Sequence, residues 1–262
     1  MKITLLGTGS SAGLPQIGGV DGRGDWGLAD PREPRNRRMR ASIALQTENR
    51  GTILVDAGPD LRAQLIDNGI ARIDAIICTH AHADHIAGLD DVRILNRILG
   101  TPLPIYATQE TIDELKRRFE YAFRPWDGGF FTRPALIPND ILPNHKIYVA
   151  GTEILTIHQD HGFSSSLGLR IGDFAYCTDV VRFNEAAFSA LQGIKSWVVD
   201  CFTPDTDHPT HAGLETVKSW VERLKPERTI LTHMGPLIDY QTLKATLPPE
   251  IEPGYDGMIL EI

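Results

Sequence analysis

Short apolar runs separated by turn residues predict most of the secondary structure of this chain. Runs of Ile, Leu and Val interrupted by polar positions are typical of strands, and a nearly continuous run such as residues 74–78 is typical of a strand covered on both faces of its sheet. Strands are predicted at residues 2–6, 42–46, 52–55, 74–78, 104–107, 173–177, 196–201, 228–231 and 256–262, and residues 145–171 are strand-like throughout. A polar turn at residues 48–51 is expected to join the second and third strands.

Helices are predicted where apolar residues recur at intervals of three and four. These segments are residues 59–68, 89–99, 109–122, 184–191 and 212–224. Asp90 and Asp91 lie near the start of the second helix, where a carboxylate can cap free amides and interact with the helix dipole. Two stretches lack periodicity: the loop at residues 14–40, and the aromatic loop at residues 123–140, which is either a lid that stacks on a base or a small satellite core.

The order of these elements predicts an α/β (α+β) fold. Two successive strand-rich blocks each lead into helices, which indicates two sheets packed together with helices outside. The chain has 262 residues, of which 42% are hydrophobic, and this is enough for a buried core. We therefore expect one compact domain that spans residues 1–262.

The composition limits which cellular compartment and which binding partners we expect. The formal net charge of −8 argues against extended nucleic acid as a partner, although a local basic patch can still receive a phosphate. The first apolar run is too short for a signal peptide, and no segment approaches the length of a membrane span. Cys78, Cys177 and Cys201 are far apart in or just after apolar runs, as is typical of buried free thiols. We expect a cytoplasmic protein with no membrane partner.

The main chemical feature of the sequence is the segment Cys78-Thr-His-Ala-His-Ala-Asp-His85, which follows an apolar strand. Three imidazoles and one carboxylate within six residues supply nitrogen and oxygen ligands for divalent metals. His80 and His82 point to the same side of an extended segment, so both can reach one ion. Asp84 and His85 are redirected by the turn into the next helix and would reach a second ion.

Other metal-type ligands follow other predicted strands. Asp56, His161, Asp179 and His233 each lie at or just after the end of an apolar run. His161 and His233 would complete the two ion sites, and Asp179 would bridge them, leaving an open position on each metal for water or substrate. His158 is an alternative to His161.

A basic segment precedes the second strand. Five arginines fall within nine residues: Arg32, Arg35, Arg37, Arg38 and Arg40. In an acidic protein they could attract an anionic substrate through bidentate contacts to phosphate, and we take Arg37 and Arg38 as candidate substrate-binding residues. The alternative is a solvated run paired with Glu33 and other acids.

Taken in order, the motifs Leu-Val-Asp56, His80-x-His82-x-Asp84-His85, His161, Thr-Asp179 and Thr-His233 resemble the metallo-β-lactamase superfamily over essentially the whole chain. The resemblance implies a four-layer αβ/βα sandwich with a dinuclear site at one edge. It implies two divalent ions per chain, zinc or manganese. The implied metal ligands are His80, His82, Asp84, His85, His161, Asp179 and His233.

Three further segments resemble the phosphodiesterase branch of that superfamily, and most closely the phosphoribosyl cyclic phosphodiesterases of phosphonate breakdown. They are residues 6–15, residues 84–93 and Pro209-Thr-His211. Members of that group often hold a structural zinc through a cysteine cluster after the first strand and a second histidine after the last metal histidine. Residues 19–30 contain no cysteine, and Pro236 rather than histidine follows His233, so we expect no structural zinc.

The resemblance implies hydrolysis of a small phosphodiester, either a cyclic ribose phosphate or a nucleotide-like ester, by a hydroxide that the two metals activate. Asp84 would ligate one metal and orient the hydroxide. His211 would bind phosphate and act as the general acid for the leaving alkoxide, although it is also placed to cap or pack at a helix start. The alternatives are a thioesterase or lactamase on the same metals, or a non-catalytic nucleotide- or metal-binding module. Because twofold symmetric dimers are the commonest soluble oligomers, a homodimer is the default expectation.

Overall fold

A computed structural model describes residues 1–47, 51–204 and 208–262, so positions 48–50 of the predicted turn lie outside the described residues. The described strands form two seven-stranded sheets. The first contains β1 (Lys2–Gly7), β2 (Ser42–Thr47), β3 (Gly51–Val55), β4 (Ala75–Ile77), β5 (Leu103–Ala107) and β6 (Leu136–Asp140). The second contains β7 (Lys146–Val149), β8 (Thr152–Asp160), β9 (Ser165–Ile171), β10 (Phe174–Cys177), β11 (Ser196–Asp200), β12 (Arg228–Thr232) and β13 (Ile251–Pro253). The last strand, β14 (Ile259–Glu261), returns to the first sheet beside β1.

Helices cover the outer face of each sheet. The first sheet carries α1 (Leu61–Asp67), α2 (Ala83–Ile86), α3 (Val92–Leu99) and α4 (Gln109–Arg118). The second carries α5 (Glu185–Leu191), α6 (Leu214–Leu224) and α7 (Tyr240–Thr246). The layers therefore run helix, sheet, sheet, helix, which confirms the predicted αβ/βα sandwich.

The alternation of side chains along each strand explains this layering. In β3, Ile53 and Val55 face the core between the sheets, whereas Leu54 faces the helices outside. In β11, Val198 faces the inner core and Trp197 faces the outer one. Successive side chains of a strand point to opposite faces, so strands that are apolar throughout build both cores at once.

Each sheet is antiparallel in one half and parallel in the other. In the first sheet β3, β4, β5 and β6 are parallel, and in the second β10, β11, β12 and β13 are parallel. Parallel neighbours end at the same edge of a sheet. Polar residues that follow β3, β4, β10, β11 and β12 are thereby brought to two facing edges.

Several local predictions need correction. The segment at 89–99 begins with a 3-10 turn at Leu89–Asp91, and Asp91 makes no side-chain capping bond to α3. The aromatic loop contains β6, which the sequence analysis did not predict. The rest of that loop is a small packed cluster, because Trp126 stacks on Phe131 at 4.5 Å between ring centroids and Arg97 donates two bonds to the Phe131 carbonyl.

Candidate metal centre

Strand ends place the candidate ligands. Asp56 follows β3, His80 lies three residues after β4, His161 follows β8, Asp179 lies two residues after β10, and His233 follows β12. His82 is the residue before α2, and Asp84 and His85 lie within this short helix. The ends of these strands thus deliver side chains distant in sequence to one place, as the sequence analysis expected.

Three of these residues have left-handed backbone conformations. The φ angles are 65° at Asp56, 53° at Asp179 and 55° at His233. Such a conformation costs a residue other than glycine about 1–3 kcal/mol, and it persists only where the surrounding structure imposes it. Each follows a buried strand, and the turn in the backbone directs the side chain into the site.

A first group of donor atoms comes from His80, His82, His161 and Asp179, all within 4.8 Å of one another. The Nε2 atom of His80 lies 2.9 Å from Nδ1 of His82, which is 3.3 Å from Nε2 of His161. Oδ1 of Asp179 is 3.8 Å from Nε2 of His80 and 3.6 Å from Nε2 of His161. Three imidazoles and one carboxylate therefore converge on one point.

A second group comes from Asp84, His85, His233 and the same Asp179. Nε2 of His85 is 3.2 Å from Oδ2 of Asp84 and 3.2 Å from Oδ2 of Asp179. Nε2 of His233 is 3.5 Å from Oδ2 of Asp84 and 3.4 Å from Oδ1 of Asp179. Because Asp179 presents one oxygen or the other to both groups, it is placed to bridge them.

Asp56 supports the second group and does not belong to it, which corrects its inclusion among the metal-type ligands. Its carboxylate accepts bonds from the Thr79 amide at 2.8 Å, the Thr79 hydroxyl at 2.9 Å and Nδ1 of His85 at 2.7 Å. Both oxygens are therefore engaged by protein donors. The contact fixes the His85 ring with Nε2 facing Asp84 and Asp179.

Gly58 allows the loop after Asp56 to pack closely against α2, behind the contact of Asp56 with His85. A Cβ on Gly58 would lie 2.1 Å from the Asp84 carbonyl oxygen, so the loop after Asp56 can approach α2 only without a side chain there. The Ala57 amide then donates to the His85 carbonyl at 2.7 Å. The loop after β3 and the helix that carries Asp84 and His85 are thus held as one unit.

The electrostatics of the site favour neutral imidazoles in the first group and a bound cation in the second. Burial lowers the pKa of His80 and of His161, which keeps both rings neutral and able to donate a lone pair. Burial also opposes charge on His85, but Asp179, Asp56 and Asp84 together raise its pKa well above the usual range. Three buried carboxylates surround this one ring, Asp56 at Nδ1 and Asp84 and Asp179 at Nε2, and define an anionic pocket that a positive charge would neutralise.

The donor atoms fit divalent metal ions. Nε2 of His85 and Nε2 of His233 are buried, and neither has a hydrogen-bond partner within the described ranges. A buried polar atom without a partner is costly, and a cation between the imidazole nitrogens and the carboxylate oxygens would supply one. The mixed nitrogen and oxygen set suits zinc or manganese.

His211 lies beside both groups and is held by a carboxylate that the sequence analysis missed. Nδ1 of His211 is 2.7 Å from Oδ2 of Asp200, which also accepts from the Val180 amide at 3.0 Å. The His211 ring stacks on His233 at 4.6 Å and contacts the His161 ring at 4.9 Å. Burial by itself lowers the pKa of His211, but the charge and hydrogen bond of Asp200 raise it to about 9.

Three further residues, His158, His208 and Arg37, belong to neither donor group. His158 lies on β8 outside both groups, and His208 accepts a bond from the Thr210 amide at 3.3 Å and contacts the Phe202 ring at 4.6 Å. Arg37 is exposed, with its guanidinium 5.1 Å from the Trp26 ring centroid. The expected contact of Arg37 with substrate stays a prediction.

Arg38 has a structural environment. It is 1% exposed and donates to the Asn36 side chain at 3.0 Å and to the Ile238 carbonyl at 2.9 Å. Burial lowers its pKa to about 10. The residue ties the loop before β2 to the segment after His233, and this placement argues against the substrate contact expected for it.

Asp200 and Thr210 are the supporting residues that sequence reasoning missed. Asp200 ends the apolar strand β11, so the strand-end signal that revealed Asp179 and His233 was also present there. The Thr210 carbonyl accepts from Nδ1 of His161 at 2.7 Å, which leaves Nε2 of that ring facing the first group. A backbone carbonyl carries no sequence signal, so the contact of Thr210 could be found only in the structure.

Two adjoining His/Asp groups at the edge of an αβ/βα sandwich define a centre of the metallohydrolase type. The family model described as a beta-lactamase superfamily domain matches residues 51–234. The chain therefore belongs to the beta-lactamase superfamily, as a metallo-β-lactamase fold hydrolase related to the PhnP family. The described residues include no helix long and apolar enough to cross a membrane.

Solved structures agree with this assignment. The crystal structure of a diphosphatase from the PhnP family covers 99% of this chain and 96% of its own, with a TM-score of 0.88 and 33% identity. Zn²⁺-bound PqqB from Methylobacterium extorquens covers both chains fully with a TM-score of 0.77 and 18% identity, a likeness of fold alone.

Curated relatives carry different names. An octanoyltransferase of Porphyromonas gingivalis is 30% identical over 263 residues, which cover 98% of this chain and 51% of the relative. The chain thus spans about half the length of that relative. Coenzyme PQQ synthesis protein B of Acinetobacter baylyi is 30% identical over 317 residues and is covered along its whole length.

Proposed function

We propose that this chain is a metal-dependent phosphodiesterase that cleaves a small phosphorylated substrate, either a cyclic ribose phosphate or a nucleotide-like ester. The observation that carries the proposal is the His211–Asp200 pair, which places a proton-bearing imidazole directly against the rings of His161 and His233. A phosphodiester has an alkoxide leaving group, and that group needs a proton as it departs. The diphosphatase of the PhnP family, at 33% identity, supports phosphoryl chemistry.

Two divalent cations, zinc or manganese, would be held by the two donor groups, with Asp179 between them. When bound, such ions activate a water as the nucleophile and neutralise charge on the phosphoryl oxygens. Asp84 is suited to hold the nucleophilic water in line, because its Oδ2 already faces His85 and His233. Burial alone would raise the pKa of Asp84, but these two histidines lower it, so the carboxylate stays ionised.

His211 supplies the proton. Asp200 holds Nδ1, so the ring is fixed and Nε2 is the nitrogen that can reach a leaving oxygen. Burial lowers the pKa of His211, but Asp200, together with Asp179 and Asp84, raises it above the ordinary value, which favours the protonated ring that a general acid needs. The same charge favours binding of an anionic phosphate before the reaction.

The test is hydrolysis of bis(p-nitrophenyl) phosphate and of a 2′,3′-cyclic ribose phosphate by protein of measured metal content. We expect turnover that requires bound metal and disappears on chelation. An aryl thioester and nitrocefin, a chromogenic lactam, serve as competing substrates, because a thioesterase or lactamase would use the same metals. Fully metal-loaded protein that leaves both phosphodiesters intact would contradict the proposal, and turnover of either competing substrate would then identify the alternative.

A further inference from the structure

The loop between β8 and β9 carries two residues of interest side by side. It is a four-residue connection from His161 to Ser164, closed by a bond from the His161 amide to the Ser164 carbonyl at 3.0 Å. Its first residue belongs to the first donor group. Its third residue is Phe163, whose side chain is 92% exposed. An aromatic ring in this position buries little area and adds little to folding stability.

This loop is held firmly by its neighbours. The Gly162 amide donates to Asp160 at 2.8 Å, and Asp160 also pairs with Arg182 at 2.9 Å. Gly162 has a φ of 75°, and a Cβ there would lie 2.5 Å from the Pro209 carbonyl oxygen. The backbone that presents Phe163 is therefore fixed between the segment before α5, which carries Arg182, and the segment that carries His211. The loop backbone thus needs little ordering before the ring receives a ligand.

Two adjoining grooves connect this ring with His80 and His82 of the first donor group. The first, about 430 Å³, is lined by His80, His82 and Ser165 among others. The second, about 600 Å³, is lined by Phe163 and Arg182 and shares His158 and Ser165 with the first. A ligand with one end at the first donor group can therefore extend over Ser165 to the face of Phe163. Both grooves combine charged side chains with apolar surface, which suits a nucleotide, with its charged end and flat base, better than a purely apolar chain.

We propose that Phe163 is a stacking platform for the nucleobase of a nucleotide-like substrate whose phosphate lies at the donor groups. The proposal rests on the phosphodiesterase function and narrows its substrate class. Stacking accepts any base, because every base has a flat π face, so we expect a preference for the presence of a base and little choice among bases. Phe163 then determines specificity and takes no part in bond cleavage.

The test compares the binding of adenosine 5′-monophosphate and ribose 5-phosphate to metal-loaded protein by isothermal titration calorimetry. The two probes share the phosphate and the ribose and differ in the base. We expect the wild type to bind the adenosine nucleotide about tenfold more tightly, since stacking of one base supplies that much. Phe163→Ala should abolish the difference, and Phe163→Trp should retain it.

Phe130→Ala is the matched control, since Phe130 is also an exposed phenylalanine, 73% exposed, but packs over Arg97 on the aromatic loop. It should leave the preference unchanged. Equal affinity of the wild type for both probes, or an unchanged preference in Phe163→Ala, would overturn the inference. So would an equal loss for both probes in Phe163→Ala, because the loop would then support the phosphate rather than the base.

The two proposals fail in different ways. A wild type that binds the adenosine nucleotide preferentially but cleaves no phosphodiester would contradict the function and leave the stacking site in place. A wild type that cleaves phosphodiesters without a base preference in binding would contradict the stacking site alone.

Discussion

Two histidine–carboxylate pairs with the same geometry lie in this site. Nδ1 of His85 is 2.7 Å from Oδ2 of Asp56, and Nδ1 of His211 is 2.7 Å from Oδ2 of Asp200. Both carboxylates are fully buried at strand ends. The pairs differ in what faces the other nitrogen of the ring.

His85 is itself fully buried, and its Nε2 faces the oxygens of Asp84 and Asp179 at 3.2 Å. His211 retains 11% side-chain exposure and lies against the rings of His161 and His233, outside the two donor groups. A nitrogen enclosed by carboxylates is suited to a cation, whereas one on a partly exposed ring outside the two donor groups is suited to a proton. The same kind of histidine–carboxylate pair is therefore suited to bind a metal at His85 and to donate a proton at His211. The surroundings of Nε2 make the difference.

The largest expected difference is between His85→Ala and His211→Ala. His85→Ala should lose metal together with all activity, because it removes a ligand. His211→Ala should keep its metal and lose about 10²–10⁴ in kcat on a cyclic ribose phosphate, since general acid catalysis contributes that much. Metal analysis and steady-state kinetics on the same preparations make the comparison.

The leaving group sharpens this prediction. The p-nitrophenolate ion departs without a proton, so His211→Ala should slow bis(p-nitrophenyl) phosphate much less than the cyclic ribose phosphate. An equal loss on both substrates would assign His211 to phosphate binding and contradict its role as the acid. Loss of metal from His211→Ala would remove the distinction between the pairs.

A second, smaller effect is expected for Asp56→Asn. The amide can still accept from Nδ1 of His85, but it lacks the charge that makes His85 a stronger ligand. We expect metal affinity to fall about 10–100-fold, as is typical when a carboxylate behind a metal histidine is replaced. Competition with a chelator measures it. Asp173→Asn, at an exposed carboxylate paired with Lys195, is the control, and an identical affinity in both variants would show that Asp56 has only a folding role.

The sequence predicted the core of this site because its residues follow strong patterns. The strands that deliver His80, Asp179 and His233 are apolar and were predicted with their ends, whereas His161 lies inside the segment 145–171 that was predicted as strand-like throughout. The two predicted donor groups, with Asp179 in both, are found in space, and a third group of Asp200, His211 and His233 that was not predicted lies beside them. Binding of metal by these residues stays a prediction.

The elements that sequence reasoning missed have weak or contrary local signals. β6 and β13 contain Pro138 and Pro253, which usually argue against a strand. Both are edge strands, where proline is tolerated because no ladder bond is needed on the outer side. α7 has only seven residues, and its clearest signal is the cap by Asp239, which accepts from the Thr242 amide at 2.9 Å.

The supporting contacts were harder to predict than the ligands themselves. Asp56 and Asp200 both end apolar strands, and nothing in the local sequence distinguishes a carboxylate that binds metal from one that holds a histidine. The distinction depends on whether protein donors already occupy the oxygens, as the Thr79 groups do at Asp56. For Arg38 the charge pattern indicated an exposed substrate contact, but tertiary packing placed the guanidinium among backbone carbonyls.

The smallest of the three expected effects, and the most specific, concerns the pH dependence of Asp200→Asn. The acid works only while His211 is protonated, so activity falls as pH rises through its pKa. Burial lowers this pKa, but Asp200, with smaller contributions from Asp179 and Asp84, raises it above the ordinary value of 6.5. Without the charge of Asp200 this pKa falls, and the alkaline limb of kcat against pH should move down by at least about one unit.

The amide oxygen of Asp200→Asn can still accept from Nδ1 of His211, so ring orientation and metal content should be kept, and kcat at the optimum should drop only about tenfold. An alkaline limb that stays in place while kcat falls would mean that Asp200 positions the ring without setting its proton affinity, and the two pairs would then differ less than their surroundings indicate.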